Sequence, residues 1–248
     1  MILKLNFSSE KGIILPKNNY NYLLQSFFYQ NMDDEISKFL HNEGFVYGKR
    51  KFKLFTFSKV IGKVIKKQSD KLVFRPNIRV YFASPIASII DASLNSFIKK
   101  REFDLYGNNL VLNSVEIINP EVSEEKVVLR CLSPITAYRT DVNTKKYVYF
   151  NPNQKEFYDV LKANLLKKYE IVYEKPFAGK LDIYPIEIRD TYKKKIVYKG
   201  KLLIEAWEGT YGMEAEKDMI KLALEAGLGP RNSQGFGMVE VIENVKSY

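Results

Sequence analysis

The chain has 248 residues, 46% hydrophobic and 27% charged, which excludes a wholly disordered polymer and suits one large or two small domains. Lysine and arginine number 39 against 29 acidic residues, a formal charge of +10 with a pI near 9.3; that excess points to a polyanionic partner such as nucleic acid, because each neutralised phosphate releases counterions. One cysteine, Cys131, rules out an internal disulfide or a cysteine-based zinc site, and no apolar run reaches the roughly 20 residues of a spanning helix, so a cytoplasmic chain without membrane contact is expected.

Residues 1–7 alternate apolar and polar and predict a strand; this start is too short and too interrupted for a signal peptide. Leu23, Leu24, Phe27 and Phe28 recur at helical spacing, which predicts a helix over 20–31. Asp33 is a good N-cap for a second helix, 33–41, that buries Ile36, Phe39 and Leu40, with Gly44 as its stop signal. Strands are predicted at 52–58 and 71–83. A helix follows at 84–99, with Ile86, Ile89, Ile90, Leu94 and Phe97 on one face, then a strand at 110–118. This β-α-(α)-β-β-α-β order is ferredoxin-like.

Asn119-Pro120-Glu121 reads as a linker, and the order then repeats. A strand at 126–132 holds Cys131 as a buried residue. A helix at 153–169 turns Phe157, Leu161 and Leu165 inward. Residues 181–188 and 195–207 alternate as a hairpin-like pair, followed by a helix at 214–226 and a strand at 238–242. The expectation is an α+β chain of two tandem ferredoxin-like (RRM-like) βαββαβ domains. Residues 1–119 form the first, and residues 120–248 form the second, which carries a glycine-rich loop.

That loop is the sharpest signal. Gly227, Gly229, Gly235 and Gly237 frame Pro230, Arg231, Asn232, Ser233 and Gln234 between a helix and the last strand. Glycine permits positive φ and close backbone approach, so exposed amides there could hold phosphate oxygens, with Arg231 adding charge. The competing reading is a helix C-cap at Gly227 and an ordinary turn. The run is not a Walker loop, since no Gly-Lys-Ser/Thr follows, and it leaves a helix for a strand, unlike a dinucleotide fingerprint. Basic clusters with interleaved aromatics lie at 63–71, 99–101 and 192–201. The last includes Tyr192, Lys193, Lys195 and Tyr198, and is either a solvated face or a track for single-stranded RNA. His41 is the only histidine, so no multi-histidine metal site exists. It sits at a predicted helix C-terminus, where the dipole favours an imidazolium. Asp33, Asp34 and Glu35 read as a helix N-terminus, not a metal site; no metal and no cofactor is expected.

The glycine run followed by Met238-Val239-Glu240-Val241 closely resembles the C-terminal signature of CRISPR repeat-processing endoribonucleases, members of the RAMP superfamily. The resemblance extends to Tyr20-Asn21-Tyr22-Leu23-Leu24-Gln25 and to Leu40-His41 leading into Lys53-Leu54-Phe55-Thr56-Phe57-Ser58. It also takes in Leu132-Ser133-Pro134-Ile135 and Lys155-Glu156-Phe157-Tyr158. It implies a metal-independent nuclease that cuts precursor CRISPR RNA at one bond per repeat. It also implies a catalytic set of Tyr29, His41 and Lys53, which match the tyrosine, histidine and lysine of relatives with such a site. In that chemistry the 2′-OH of the substrate attacks the adjacent phosphate, so the protein supplies a base, an acid and positive charge on the phosphorane. Which of His41 and Tyr29 is the base is left open. The implied RNA contacts are Gly227, Gly229, Arg231, Asn232, Ser233, Gly235 and Gly237 of the loop, with Lys193 and Lys195. The implied partner is CRISPR repeat RNA, single-stranded or weakly hairpinned, with a CRISPR effector complex and a homodimer as further open partners. The competing function is a non-catalytic RAMP subunit that only binds guide RNA.

Overall fold

In the computed structural model, which describes residues 1–244, strand Ile2–Ser8 buries Leu3, Leu5 and Phe7 on one face and turns Lys4 and Asn6 to the other, as a period of two requires. It pairs antiparallel with Lys71–Ala83 on one side and Asn108–Ile118 on the other. Thr56–Phe57, Ile61–Lys67 and Ile13–Pro16 all add to Lys71–Ala83. The first and third core strands are therefore central, flanked by the fourth and second, which is the ferredoxin-like order. Helices α1 (Tyr20–Gln30), α2 (Asp34–Asn42) and α3 (Ala87–Lys100) belong to this half. Phe27 and Phe28 of α1 and Phe97 of α3 meet Phe7, Phe57, Phe82 and Phe103 in one aromatic core. Such edge and tilted pairs contribute about 0.5–1.5 kcal/mol each beyond area burial.

The second sheet runs Leu181–Glu187, Thr210–Ala215, Lys126–Cys131, Val239–Asn244, the same order with the chain's later strands. Helices α4 (Lys155–Tyr173) and α5 (Lys217–Ala226) cover it, burying Phe157, Leu161, Leu165, Ile220 and Ala223 against Leu129, Tyr211 and Met213. Among the described residues no helix is long and apolar enough to cross a membrane.

Besides shifted helix ends and the unforeseen strands Ile13–Pro16 and Ile61–Lys67, three differences from expectation stand out. The strand foreseen at 52–58 is broken: Arg50–Phe52 pairs back on Phe45–Tyr47, and only Thr56–Phe57 joins the sheet. Leu54 between them has φ 49, which no strand accommodates. Residues 181–188 do not pair with 195–207. Leu181–Glu187 pairs with Thr210–Ala215, and Lys193–Tyr198 folds onto Leu202–Trp207 as its own hairpin. Lys199 and Gly200 both have positive φ, in a three-residue loop, 199–201, closed by the Lys201 amide on the Tyr198 carbonyl. The helix foreseen from 214 starts at Lys217, because Met213 and Ala215 still alternate inward at the end of a strand.

Candidate active site and nucleic-acid interface

Three separate elements bring Tyr29, His41 and Lys53 together. Asp33 caps α2, its Oδ1 accepting from the amides of Glu35 at 3.0 Å and Ile36 at 3.3 Å. Ser37 Oγ donates to the carbonyl of Tyr29 at 2.9 Å, which fastens α2 to the end of α1. His41, in the last turn of α2, then stands edge-on to the Tyr29 ring, with centroids 6.1 Å apart. Gly44 adopts φ +67, and a Cβ there would lie 2.6 Å from the Phe52 carbonyl oxygen, so glycine lets the 45–52 hairpin return against α2. Lys53 Nζ donates to the His41 carbonyl at 3.1 Å and Lys51 Nζ to the Asn42 carbonyl at 2.9 Å, two cations at the negative end of the helix. Leu54 holds its left-handed conformation through a buried side chain and a bond from Ser84 Oγ to its carbonyl at 2.7 Å; such strain costs about 1–2 kcal/mol and is common beside functional residues.

The electrostatics differ at each member. His41 is exposed, with Nδ1 2.9 Å from Asn42 Oδ1. Burial pushes the Tyr29 hydroxyl well above the usual phenol range, and Tyr198 adds in the same direction. Burial, then the neighbouring Lys51, pulls the Lys53 ammonium below its ordinary value. An anion beside Lys53 would relieve that repulsion.

Lys53 also lines a cleft of about 850 Å³ between the two halves. Arg50, Lys51, Arg139, Lys167 and Arg231 share the wall, with Asp159 the single acidic lining residue. Of these cations only Arg231 and Lys53 stood in motifs singled out from the sequence.

The glycine loop forms one end of the cleft, but its glycines face inward. Gly227, Gly229, Gly235, Gly237 and Asn232 are all buried, and the amides of Gly227, Gly235 and Gly237 bond Ala223, Asn232 and Pro134 carbonyls. Exposed amides cradling phosphate are therefore not what these glycines present. Gly229 and Gly237 pack within their own half, while Gly227 and Gly235 let the loop dock on the first: Asn21 Nδ2 donates to the carbonyls of Gln234 and Gly235 at 3.1 and 2.9 Å. At Gly235, φ +82, a Cβ would lie 2.7 Å from Phe57 Cε2. Only Pro230, Arg231, Ser233 and Gln234 of the loop are partly open, all of them on the cleft.

Lys168 organises the loop from below. This lysine of α4 is 2% exposed. Its Nζ donates to the carbonyls of Ala226, Gly227 and Gly229 and, at 2.6 Å, to Asn232 Oδ1. Burial pulls its ammonium down to about 7, while the carbonyl cage and the C-terminal end of α5 favour the charged form. The sequence carried a signal for it: Lys168 lies three residues after Leu165 and seven after Leu161, on the inward face of the helix. Lys193 and Lys195 stand apart from the cleft. Lys193 pairs with Glu205 Oε2 at 2.7 Å and lies 5.4 Å from the Trp207 ring. Among the described residues no group of three or more His, Cys, Asp or Glu side chains is placed to hold a metal ion.

A sequence model described as CRISPR-associated protein Cas6, N-terminal, matches residues 16–116, and one described as CRISPR associated protein Cas6, C-terminal, matches 117–241. The chain belongs to the Cas6 family. It is 26% identical to "CRISPR-associated endoribonuclease Cas6 1" of Methanocaldococcus jannaschii, over 98% of this chain and 94% of that relative. It is 27% identical to "CRISPR-associated endoribonuclease Cas6" of Pyrococcus furiosus, over 91% of this chain and 83% of that one. A solved structure described as "CRISPR associated protein Cas6" superposes with a TM-score of 0.81 at 24% identity, covering 98% of this chain and 99% of its own. That likeness carries the Cas6 fold across nearly the whole chain.

Proposed function

We propose that this Cas6-family chain is an endoribonuclease that cleaves precursor CRISPR RNA within its repeats. The reaction is attack of a ribose 2′-OH on the adjacent phosphate, leaving a 2′,3′-cyclic phosphate and a 5′-hydroxyl. The observation that carries the reading is the meeting of Tyr29 and His41 beside Lys53, which itself lines the basic cleft. His41 accepts the 2′ proton as the 2′ oxygen bonds to phosphorus. The bond from phosphorus to the 5′ oxygen breaks, and Tyr29 protonates that oxygen; the imidazolium then returns a proton to Tyr29. Tyr29 enters as donor because burial disfavours its phenolate. Lys53 places positive charge where the phosphorane develops. Arg231 and Ser233 of the glycine loop contact RNA in the cleft, with Gly227, Gly229, Asn232, Gly235 and Gly237 shaping the loop; Lys193 and Lys195 extend the track on an outlying hairpin.

The same reading takes residues 1–119 and 120–248 as two domains, since each closes its own sheet and core. The protein works in the cytoplasm, without a metal, and hands its product to a CRISPR effector complex. The test is His41→Ala in EDTA with repeat RNA. Cleavage should fall about 10²–10⁴-fold while RNA affinity holds. A variant that cuts at the wild-type rate overturns the assignment. A wild type that binds repeat RNA tightly and never cuts it would mark a guide-RNA-binding subunit.

A further inference from the structure

The hairpin of strands Tyr138–Thr140 and Tyr147–Tyr149 serves neither sheet. It pairs only with itself, Tyr138 opposite Tyr149 and Thr140 opposite Tyr147. Its turn is rigid: Asp141 Oδ1 accepts from the amides of Asn143 and Thr144 at 3.1 and 2.6 Å and from Thr144 Oγ1 at 2.8 Å. Its base is tied down by the Phe150 amide on the Ala137 carbonyl and by Tyr149 Oη on the Leu203 carbonyl. Three tyrosines are thereby clustered, Tyr138 and Tyr147 with centroids 4.8 Å apart at 70°, and Tyr149 5.7 Å from Tyr138.

The cluster faces the cleft and is charged on one side. Tyr138 and Tyr147 both line it, and Arg139 reaches its wall from the other face of the hairpin, its guanidinium 5.7 Å from the Phe150 ring centroid. The Arg231 guanidinium lies 4.8 Å from the Tyr138 centroid and 5.0 Å from that of Tyr147, and is steered by its bond to Gln234 Oε1 at 2.9 Å. Yet Tyr147 remains 42% exposed. A tyrosine kept for packing would bury its ring. This one is pre-positioned, half open, over a basic cavity, beside Arg231, whose guanidinium suits phosphate.

We infer that Tyr147, backed by Tyr138 and Arg231, is a stacking platform for one nucleobase of single-stranded RNA in the cleft. The inference rests on the proposed RNA function and names a specific subsite within it. Every base has a π face, so stacking holds the strand with little sequence preference of its own. Arg231 holds the phosphate next to the stacked base.

The experiment uses the full chain and a non-cleavable, 2′-O-methyl repeat-sequence strand carrying 2-aminopurine at one position, scanned along the strand. One position should be quenched on binding to wild type and to Tyr147→Phe, and not to Tyr147→Leu. Tyr147→Leu should weaken binding about 5- to 150-fold, the range for one stacked base, at an unchanged salt slope. An abasic nucleotide at that position should weaken wild type equally and cost Tyr147→Leu nothing further. A Tyr147→Leu penalty that persists undiminished on every abasic strand, or no penalty at all, overturns the platform. Cleavage of unmodified repeat RNA by wild type is scored separately, so base coupling without cutting refutes only the nuclease reading. Cutting without coupling refutes only the platform.

Discussion

His41 sits in the open with a small polar neighbour, while Tyr29 and Lys53 are shifted by burial in opposite senses. That division separates a proton donor that stays protonated from a cation that gains by meeting an anion. His41 drew notice in the sequence as the chain's one imidazole, and Lys53 only through the family resemblance. Lys168 was overlooked because lysine so seldom lies fully buried, although its helical position marked it. In the unfolded chain Lys168 has the ordinary value of 10.5, against about 7 when folded. Between these values the unfolded chain binds a proton that the folded chain lacks, so its contribution makes stability rise with pH across that window; below it both forms are charged and the whole desolvation cost stands. Lys168→Met should remove this slope. Urea unfolding from pH 7 to 9 checks it: a mutant whose midpoint keeps the wild-type pH dependence contradicts the assignment.

At the scale of elements, helices announced themselves and short strands did not. Residues 33–41 carried a cap, an inward face and a stop, and α2 follows within a residue or two. The strand at 52–58 failed because a left-handed leucine has no sequence signature. The hairpin at 193–207 carried one, Lys199-Gly200, in a segment read for its charge. The glycine loop stood out as a special segment, but its glycines serve close packing, Gly227 and Gly235 against the first half and Gly229 and Gly237 within the second, because tight approach and phosphate binding leave the same trace in a sequence. Gly235→Val should therefore cost about 2–4 kcal/mol of stability, from positive φ and collision with Phe57. Thermal unfolding measured beside RNA affinity decides it. A large loss of affinity at unchanged stability would restore the phosphate-cradle reading of the glycines.

Over the whole molecule, the excess of +10 gains a location. Two sheets of the same strand order meet at the glycine loop, and cations from α4, the 45–52 hairpin and the loop converge on one cleft. The fold pattern could be read from the chain because each half repeats it; the cleft could not, because Arg50, Arg139 and Lys167 come together only when the halves dock. If RNA runs through it, affinity should fall with salt by a slope of about 0.7 per paired phosphate. Arg139→Ala with Lys167→Ala should flatten that slope by about 1.4, and an unchanged slope would move the RNA elsewhere. The most direct test of the central claim is cleavage, in EDTA, of a repeat RNA with one 2′-deoxy substitution just upstream of the cut. Cutting should stop while binding persists, since one hydroxyl is a small part of a phosphate-dominated interface. Efficient cutting of that substrate at the same bond would contradict it.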